Sequence, residues 1–112
     1  MNRREKGAQS EEAAARHLTQ KGYRILQRNF RWKGGEIDII AQRNELIVFV
    51  EVRARSYSTF GSAAETINAS KKEKIKRTAL LYLQKNRLDS PARFDVITFD
   101  GDNLAHFENA FD

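Results

Sequence analysis

Two short apolar runs constrain this chain more than anything else in it: Gly35-Glu36-Ile37-Asp38-Ile39-Ile40-Ala41 and Ile47-Val48-Phe49-Val50-Glu51-Val52-Arg53. Their Val, Ile and Phe content, on either side of the polar link Gln42-Arg43-Asn44-Glu45, predicts two adjacent antiparallel strands. Each run carries an acid where an apolar residue would pack better. With the turn centred on Asn44-Glu45, Asp38 falls opposite Glu51. Residues so opposed have Cβ atoms about 4.5–5.5 Å apart, and two carboxylates at that range repel by roughly 3 kcal/mol at an effective dielectric of about 20. A divalent cation between them reverses the sign, and hard oxygen ligands are what magnesium prefers. The alternative is a pair of edge strands whose acids are neutralised by nearby arginines.

Alternation assigns the faces. Val48, Val50 and Val52 point one way, and Ile47, Phe49, Glu51 and Arg53 the other. A slip of one residue would put Asp38 and Glu51 on opposite faces, so the candidate site depends on register.

At 112 residues the chain reads as one domain, 1–112, able to bury roughly two-thirds of its unfolded surface. No run approaches a membrane span, and the N-terminus lacks the apolar core of a signal peptide. Cysteine is absent, which removes thiolate metal sites, disulfides and cysteine nucleophiles and suits a cytoplasmic protein. Two histidines, His17 and His106, are too few for a histidine metal cluster. The net charge of +5 favours a polyanionic partner, nucleic acid before membrane.

The first helix is expected from about Arg4 to Gln20, stopped by Gly22. Ala8, Glu11, Ala15 and Leu18 form its inward stripe, which places a carboxylate, Glu11, where packing is expected; Glu12 and His17 read as surface residues. A strand follows over Tyr23–Phe30, then a turn at Gly34-Gly35. Trp32, among Arg28, Arg31 and Lys33, either caps the core or stacks on a base, with the cap preferred. After Arg53 a small, polar loop runs to Ala69, with a helical turn near 63–67; Arg55 and its hydroxyl neighbours either hold phosphates or are the ordinary composition of an exposed loop.

Ser70-Lys71-Lys72-Glu73 matches a capping box and predicts a second helix from Ser70 to Asn86, with Ile75, Ala79, Tyr82 and Leu83 inward. Lys71, Lys72, Lys74, Lys76 and Arg77 crowd its first two turns, where the helix macrodipole is already positive. That is either a docking face for a nucleic-acid backbone or a solvated charged face. Arg93–Phe99 alternates as a strand, Asp100-Gly101 turns, and Asn103–Phe107 is a short last strand. The expected architecture is α/β, an αβββαβ core with a mixed sheet flanked by helices and a short extra C-terminal strand.

These residues carry a resemblance. Gly7 and Glu11, Gly22-Tyr23, Ile25-Leu26, Arg28-Asn29-Phe30-Arg31, Gly35-Glu36-Ile37-Asp38 and Val48-Phe49-Val50-Glu51-Val52-Arg53 resemble the YraN-type family of small bacterial proteins. Phe60-Gly61, Lys71, Arg93-Phe94-Asp95-Val96 and Asn109-Ala110-Phe111 extend the likeness over nearly the whole chain. That family is similar in turn to the restriction-endonuclease-like fold, which includes archaeal Holliday-junction resolvases. Proteins of that fold use an acid, then a Glu-x-Lys triplet on the next strand, often with a glutamate from the first helix.

The resemblance implies a Mg²⁺- or Mn²⁺-dependent nuclease cleaving branched or other non-duplex DNA, with a homodimer suited to two-fold substrates. Asp38 and Glu51 match its metal-binding acids, and Glu11 matches the helical acid that holds a water or a second ion. Arg53 stands at the lysine position; a guanidinium stabilises charge but stays protonated and cannot serve as a base. Arg55, Lys71, Lys72, Lys74 and Lys76 would track the nucleic-acid backbone. Two further readings follow from the altered lysine: a non-catalytic nucleic-acid-binding module, or an interaction protein whose acids are structural.

Overall fold

The computed structural model describes residues 3–55 and 67–111, with side chains from 7 to 54 and from 67 to 111. The elements run α1 (Arg3–Gln20), β1 (Arg24–Trp32), β2 (Gly35–Arg43), β3 (Leu46–Arg55), α2 (Ala69–Lys85), β4 (Ala92–Asp100) and β5 (Asn103–Phe111). The five strands lie in sequence order in one sheet. β1, β2 and β3 pair antiparallel, β3 and β4 parallel, and β4 and β5 antiparallel. A parallel neighbour needs a crossover, and α2 supplies it. This is the expected αβββαβ core, with β5 longer than the sequence suggested.

Alternation sorts the side chains as expected. Ile47 and Phe49 join Phe30, Ile37, Ile40 and Val96 beneath Ile75, Ala79 and Tyr82 of α2. Val48 and Val50 join Ile39, Ala41, Ile97 and Phe99 beneath Ala14, Ala15 and Leu18 of α1. Each helix closes one face of the sheet, and two apolar cores result.

One local departure from alternation positions the candidate site. Ile37 and Ile39 have the same parity, yet Ile37 packs on the α2 side and Ile39 on the α1 side. Their β1 partners, Phe30 and Arg28, do the same: Phe30 packs under α2 while Arg28 reaches Glu12 of α1 at 2.8 Å. Between Arg28 and Phe30, Asn29 adopts φ +54°, a left-handed conformation that asparagine tolerates better than most residues. The hairpin coils there, and Asp38 sits at the crossing.

Other expectations are revised. α2 is capped by Asn68, whose side chain accepts from the Lys71 N–H at 2.8 Å, not by Ser70; Glu73 makes only a loose contact with Lys76 at 3.9 Å. Within α1, Ala14 is buried and Ala8 exposed. His17 is no free surface group: its Nε2 lies 3.1 Å from Nδ1 of His106. Trp32 is 40% exposed, with the Lys85 ammonium 5.7 Å from its ring, so it does not cap the core. The helical turn expected near 63–67 and the Arg55 side chain fall largely or wholly outside the described residues.

A second buried acid anchors the α1 side. Asp95 of β4 is fully buried and accepts from Arg93 Nε and Nη2 at 2.8 and 2.9 Å and from the Asn109 N–H at 3.0 Å, with His106 Nε2 at 2.8 Å. Arg93 also donates to the Tyr23 hydroxyl at 2.8 Å. Burial pushes Asp95 up, but the bonds from His106 and Arg93 outweigh it and hold the carboxyl below its ordinary range. Through the His17–His106 contact, this cluster pins α1 to β4 and β5.

The glycine of the Gly-Glu-Ile-Asp run has a packing reason. A Cβ at Gly35 would drive into the Thr78 hydroxyl oxygen of α2 and stand 3.2 Å from the Lys74 carbonyl oxygen. Rotating Thr78 would move its hydroxyl at the expense of its bond to the Lys74 carbonyl, but that carbonyl and the Thr78 Cβ, 3.3 Å away, are fixed to the helix. Gly35→Ala is expected to lose about 2 kcal/mol and to lower Tm by roughly 10 °C, measured by calorimetry; an unchanged Tm would show that α2 does not pack this closely.

Candidate functional site

The β2–β3 register pairs Ile39 with Val50, Ile40 with Phe49 and Ala41 with Val48, and so sets Asp38 opposite Glu51. Beyond Ile39 and Val50 the backbone ladder between these strands gives way. The Val52 N–H donates instead to Asp38 Oδ2 at 2.8 Å. A side chain thus takes up the donor of a strand that has parted from its neighbour. This parting is what lets two acids stand side by side inside the sheet.

The pair is electrostatically under-neutralised. Burial raises Asp38 most, the Glu51 charge and a hydrogen bond shared with Glu51 raise it further, and the Val52 N–H only partly opposes them; the carboxyl is pushed up to about 8. Glu11 adds a smaller push in the same direction. Glu51 is only 5% exposed. Its one close cation among the described residues is Lys71 of α2, with Nζ 2.9 Å from Oε2.

Lys71 reaches Glu51 because the Asn68 cap fixes where α2 begins. Lys71 lies in the first turn, its N–H bound to Asn68, and its side chain turns back over the end of β3. Asp38, Glu51, Gly35, Ser70, Lys71 and Lys74 line one cleft of about 450 Å³ between β2, β3 and the start of α2. It is a polar cleft with acids at its base and lysines along one wall.

The remaining predicted residues divide. Lys72 sits with its ammonium 5.8 Å from the Phe111 ring, and Lys76 lies near Glu73; neither lines the cleft. Arg53 is half-buried on the strand face that carries Glu51. Arg55 pairs through its backbone with Asp100 at the end of β3. Glu11 is half-buried on α1 and raised chiefly by burial, with Arg28 opposing and the Glu36 and Glu51 charges adding. Its Oε1 is buried with no hydrogen-bond partner among the described residues. It lies within electrostatic reach of Asp38 and Glu51 without lining their cleft.

Among the described residues, no three His, Asp or Glu side chains gather closely enough to cage a metal ion. Magnesium does not need such a cage, since it is commonly held by one or two carboxylates together with water and substrate phosphates. The Asp38–Glu51 donor set fits that requirement, being hard oxygen on two carboxyls that share one lysine, the Asp38 proton standing where a cation would replace it.

Lys71 as a partner of Glu51 was missed in the sequence because the cap was read two residues late. The acidic anchor at Asp95 was missed entirely. Arg93 and Asp95 do alternate on one face, but His106 and His17 meet them only through tertiary pairing.

Fold and cleft together define a small α/β protein of restriction-endonuclease-like core, with two apposed acids where the second and third strands part. The chain belongs to the uncharacterised protein family UPF0102, whose model matches residues 10–99. It is 45% identical over 112 residues to the UPF0102 protein of Sulfurihydrogenibium sp. (strain YO3AOP1), covering 99% of this chain and 97% of the relative. To the UPF0102 protein of Carboxydothermus hydrogenoformans it is 44% identical over 117 residues, covering 100% and 99%. No helix among the described residues is long and apolar enough to cross a membrane.

The raised Asp38 sets a pH dependence. Its folded-state value of about 8 lies above the unfolded value near 3.8, so the native state holds a proton that the unfolded chain releases. The stability tied to that proton is present in full below pH 4 and is lost as pH rises through 8. Asp38→Asn keeps an oxygen for the Val52 N–H and removes the charge. Its Tm is expected to exceed the parent's at pH 8.5, and the advantage to shrink toward pH 4. Equal pH profiles for the two proteins would mean that Asp38 is not held protonated.

Proposed function

We propose that the protein is a Mg²⁺- or Mn²⁺-dependent nuclease that hydrolyses phosphodiester bonds in branched or otherwise non-duplex DNA. The observation that carries this reading is the buried Asp38–Glu51 pair, short of positive charge, at the base of a cleft walled by lysines. A purely structural pair of acids would be expected to have its charge met locally, as Asp95 has.

On this reading Asp38 and Glu51 hold the metal, which supplies Lewis-acid activation of the phosphate and of the attacking water. Glu11, whose Oε1 has no partner among the described residues, orients water from the α1 side. Arg53 offsets charge developing on the phosphate, and its permanent protonation bars it from acting as a base. Lys74 faces the cleft and positions the nucleic-acid backbone, while Lys72, Lys76 and Arg55 extend the basic surface outside it. Such contacts favour phosphate over base edges, so little sequence preference and a steep salt dependence follow. The choice of branched DNA rests on the likeness to junction resolvases alone.

Arg53 in the lysine position favours one other reading, a nucleic-acid-binding module that keeps the fold without cleavage. Labelled single-stranded, duplex and four-way DNA incubated with Mg²⁺ or Mn²⁺ separates the two. Cleavage is expected for the parent, and Asp38→Asn and Glu51→Gln are each expected to lower it more than about a hundredfold, beyond what removing an outer partner of a metal ligand typically loses. DNA binding by the parent without any cleavage, unaffected by both substitutions, would select the binding module.

A further inference from the structure

Lys71, expected on a nucleic-acid backbone, instead pairs with Glu51. Its ammonium lies 2.9 Å from Glu51 Oε2, and the two partners differ sharply in exposure: the lysine side chain is 42% exposed and that of glutamate 5%. The carboxylate is fixed in the sheet, while the lysine reaches it on a flexible stem from a backbone held by the Asn68 cap. Of the two, only the ammonium is free to leave. The half-exposed ammonium regains water when it leaves, and a dication at the same oxygen replaces the charge that the buried Glu51 would otherwise lack.

We propose that Lys71 is an exchangeable counter-ion: it occupies Glu51 when the site holds no metal, gives way to a divalent cation, and then meets a phosphate of the nucleic acid in the same cleft. This rests on the metal-dependent reading above. It assigns the cleft a lysine delivered from the helix, beside the arginine that the strand carries at position 53. Once displaced, the ammonium remains beside Ser70 and Lys74, which line the cleft with it, so released charge stays where an anionic backbone enters. Occupation of the cleft by metal and by phosphate is thereby coupled, because the first frees a group for the second.

Two measurements test this without relying on turnover. The first is Mn²⁺ affinity by titration calorimetry for the parent, Lys71→Met, Lys71→Gln and Lys74→Met. Removing the competing ammonium is expected to tighten Mn²⁺ binding about fivefold or more in both Lys71 variants, and to exceed the effect of Lys74→Met. Lys71→Gln keeps a donor for Glu51 and guards against misfolding of the methionine variant. The second is binding of four-way DNA with and without Ca²⁺. Lys71→Met is expected to weaken DNA binding several-fold with Ca²⁺ and to leave it near the parent's without.

Mn²⁺ affinity unchanged or weakened in both Lys71 variants, or a tightening no larger than that of Lys74→Met, overturns the exchange. Equal loss of DNA affinity with and without Ca²⁺ overturns it as well, since that is the behaviour of an ordinary surface lysine. A parent that takes up no Mn²⁺ overturns this proposal and the metal-dependent reading together. A parent that binds Mn²⁺ with Lys71 variants indistinguishable from it overturns the exchange alone.

Discussion

The bond from the Val52 N–H to Asp38 Oδ2 is the contact on which the site's geometry depends. In an unbroken ladder that donor would meet a backbone carbonyl, and β2 and β3 would run side by side to their ends. A carboxylate taking its place lets the strands separate without leaving a buried N–H unpaired, an omission that costs about 1–3 kcal/mol. Separation opens the cleft, admits Lys71 from α2 and leaves room beside Glu51. The same bond fixes the Asp38 side chain, so the apposition of the two acids is set by the backbone and not by rotamer choice.

The sheet holds its buried acids in two contrasting ways. Asp95 receives bonds from an arginine and a backbone N–H, has a histidine nitrogen at 2.8 Å, and is stabilised as the anion. Among the described residues Asp38 has one backbone donor and a carboxyl neighbour, and its proton is retained to about pH 8. Both lie among apolar residues of the same sheet, so burial alone does not separate them. The supply of cationic partners does. The fold can neutralise a buried acid completely on its α1 side, and the shortage at Asp38 and Glu51 is a local property of the cleft. Unmet charge in a concave site is where ligands with the opposite sign are expected.

Much of this architecture was legible in the sequence because it follows from parity and composition. Val48, Val50 and Val52 against Ile47, Phe49 and Glu51 fixed the faces of β3, and the polar link at Asn44-Glu45 fixed the register that opposes Asp38 to Glu51. What was not legible depends on single backbone choices or on distant pairs. The left-handed Asn29 carries Ile37 and Ile39 to opposite faces, which no two-residue period anticipates. Asn68 displaced Ser70 as the cap because both can accept from a first-turn N–H and only tertiary packing selects between them. The partners of Asp95 come from β4 and β5, with α1 joined one step further through His17 on His106, and nothing in one sequence announces such a meeting.

The start of α2 resolves an apparent conflict in local energetics. Its first turn has no acid and two lysines, Lys71 and Lys72, an arrangement that the helix macrodipole disfavours by a few tenths of a kcal/mol per charge. Taken as a helix alone, that turn is badly made. Placed over the ends of β2 and β3, the start of the helix faces two buried carboxyls, and Lys71 and Lys74, which line the cleft with them, lower the electrostatic energy of the whole. Gly35 permits this by giving α2 no Cβ to ride over, so the helix approaches the strand that carries Asp38. Closeness of helix and strand, the parting of β2 from β3, and the basic first turn therefore form one arrangement: each is unfavourable or pointless alone, and each is accounted for by the charge at the base of the cleft.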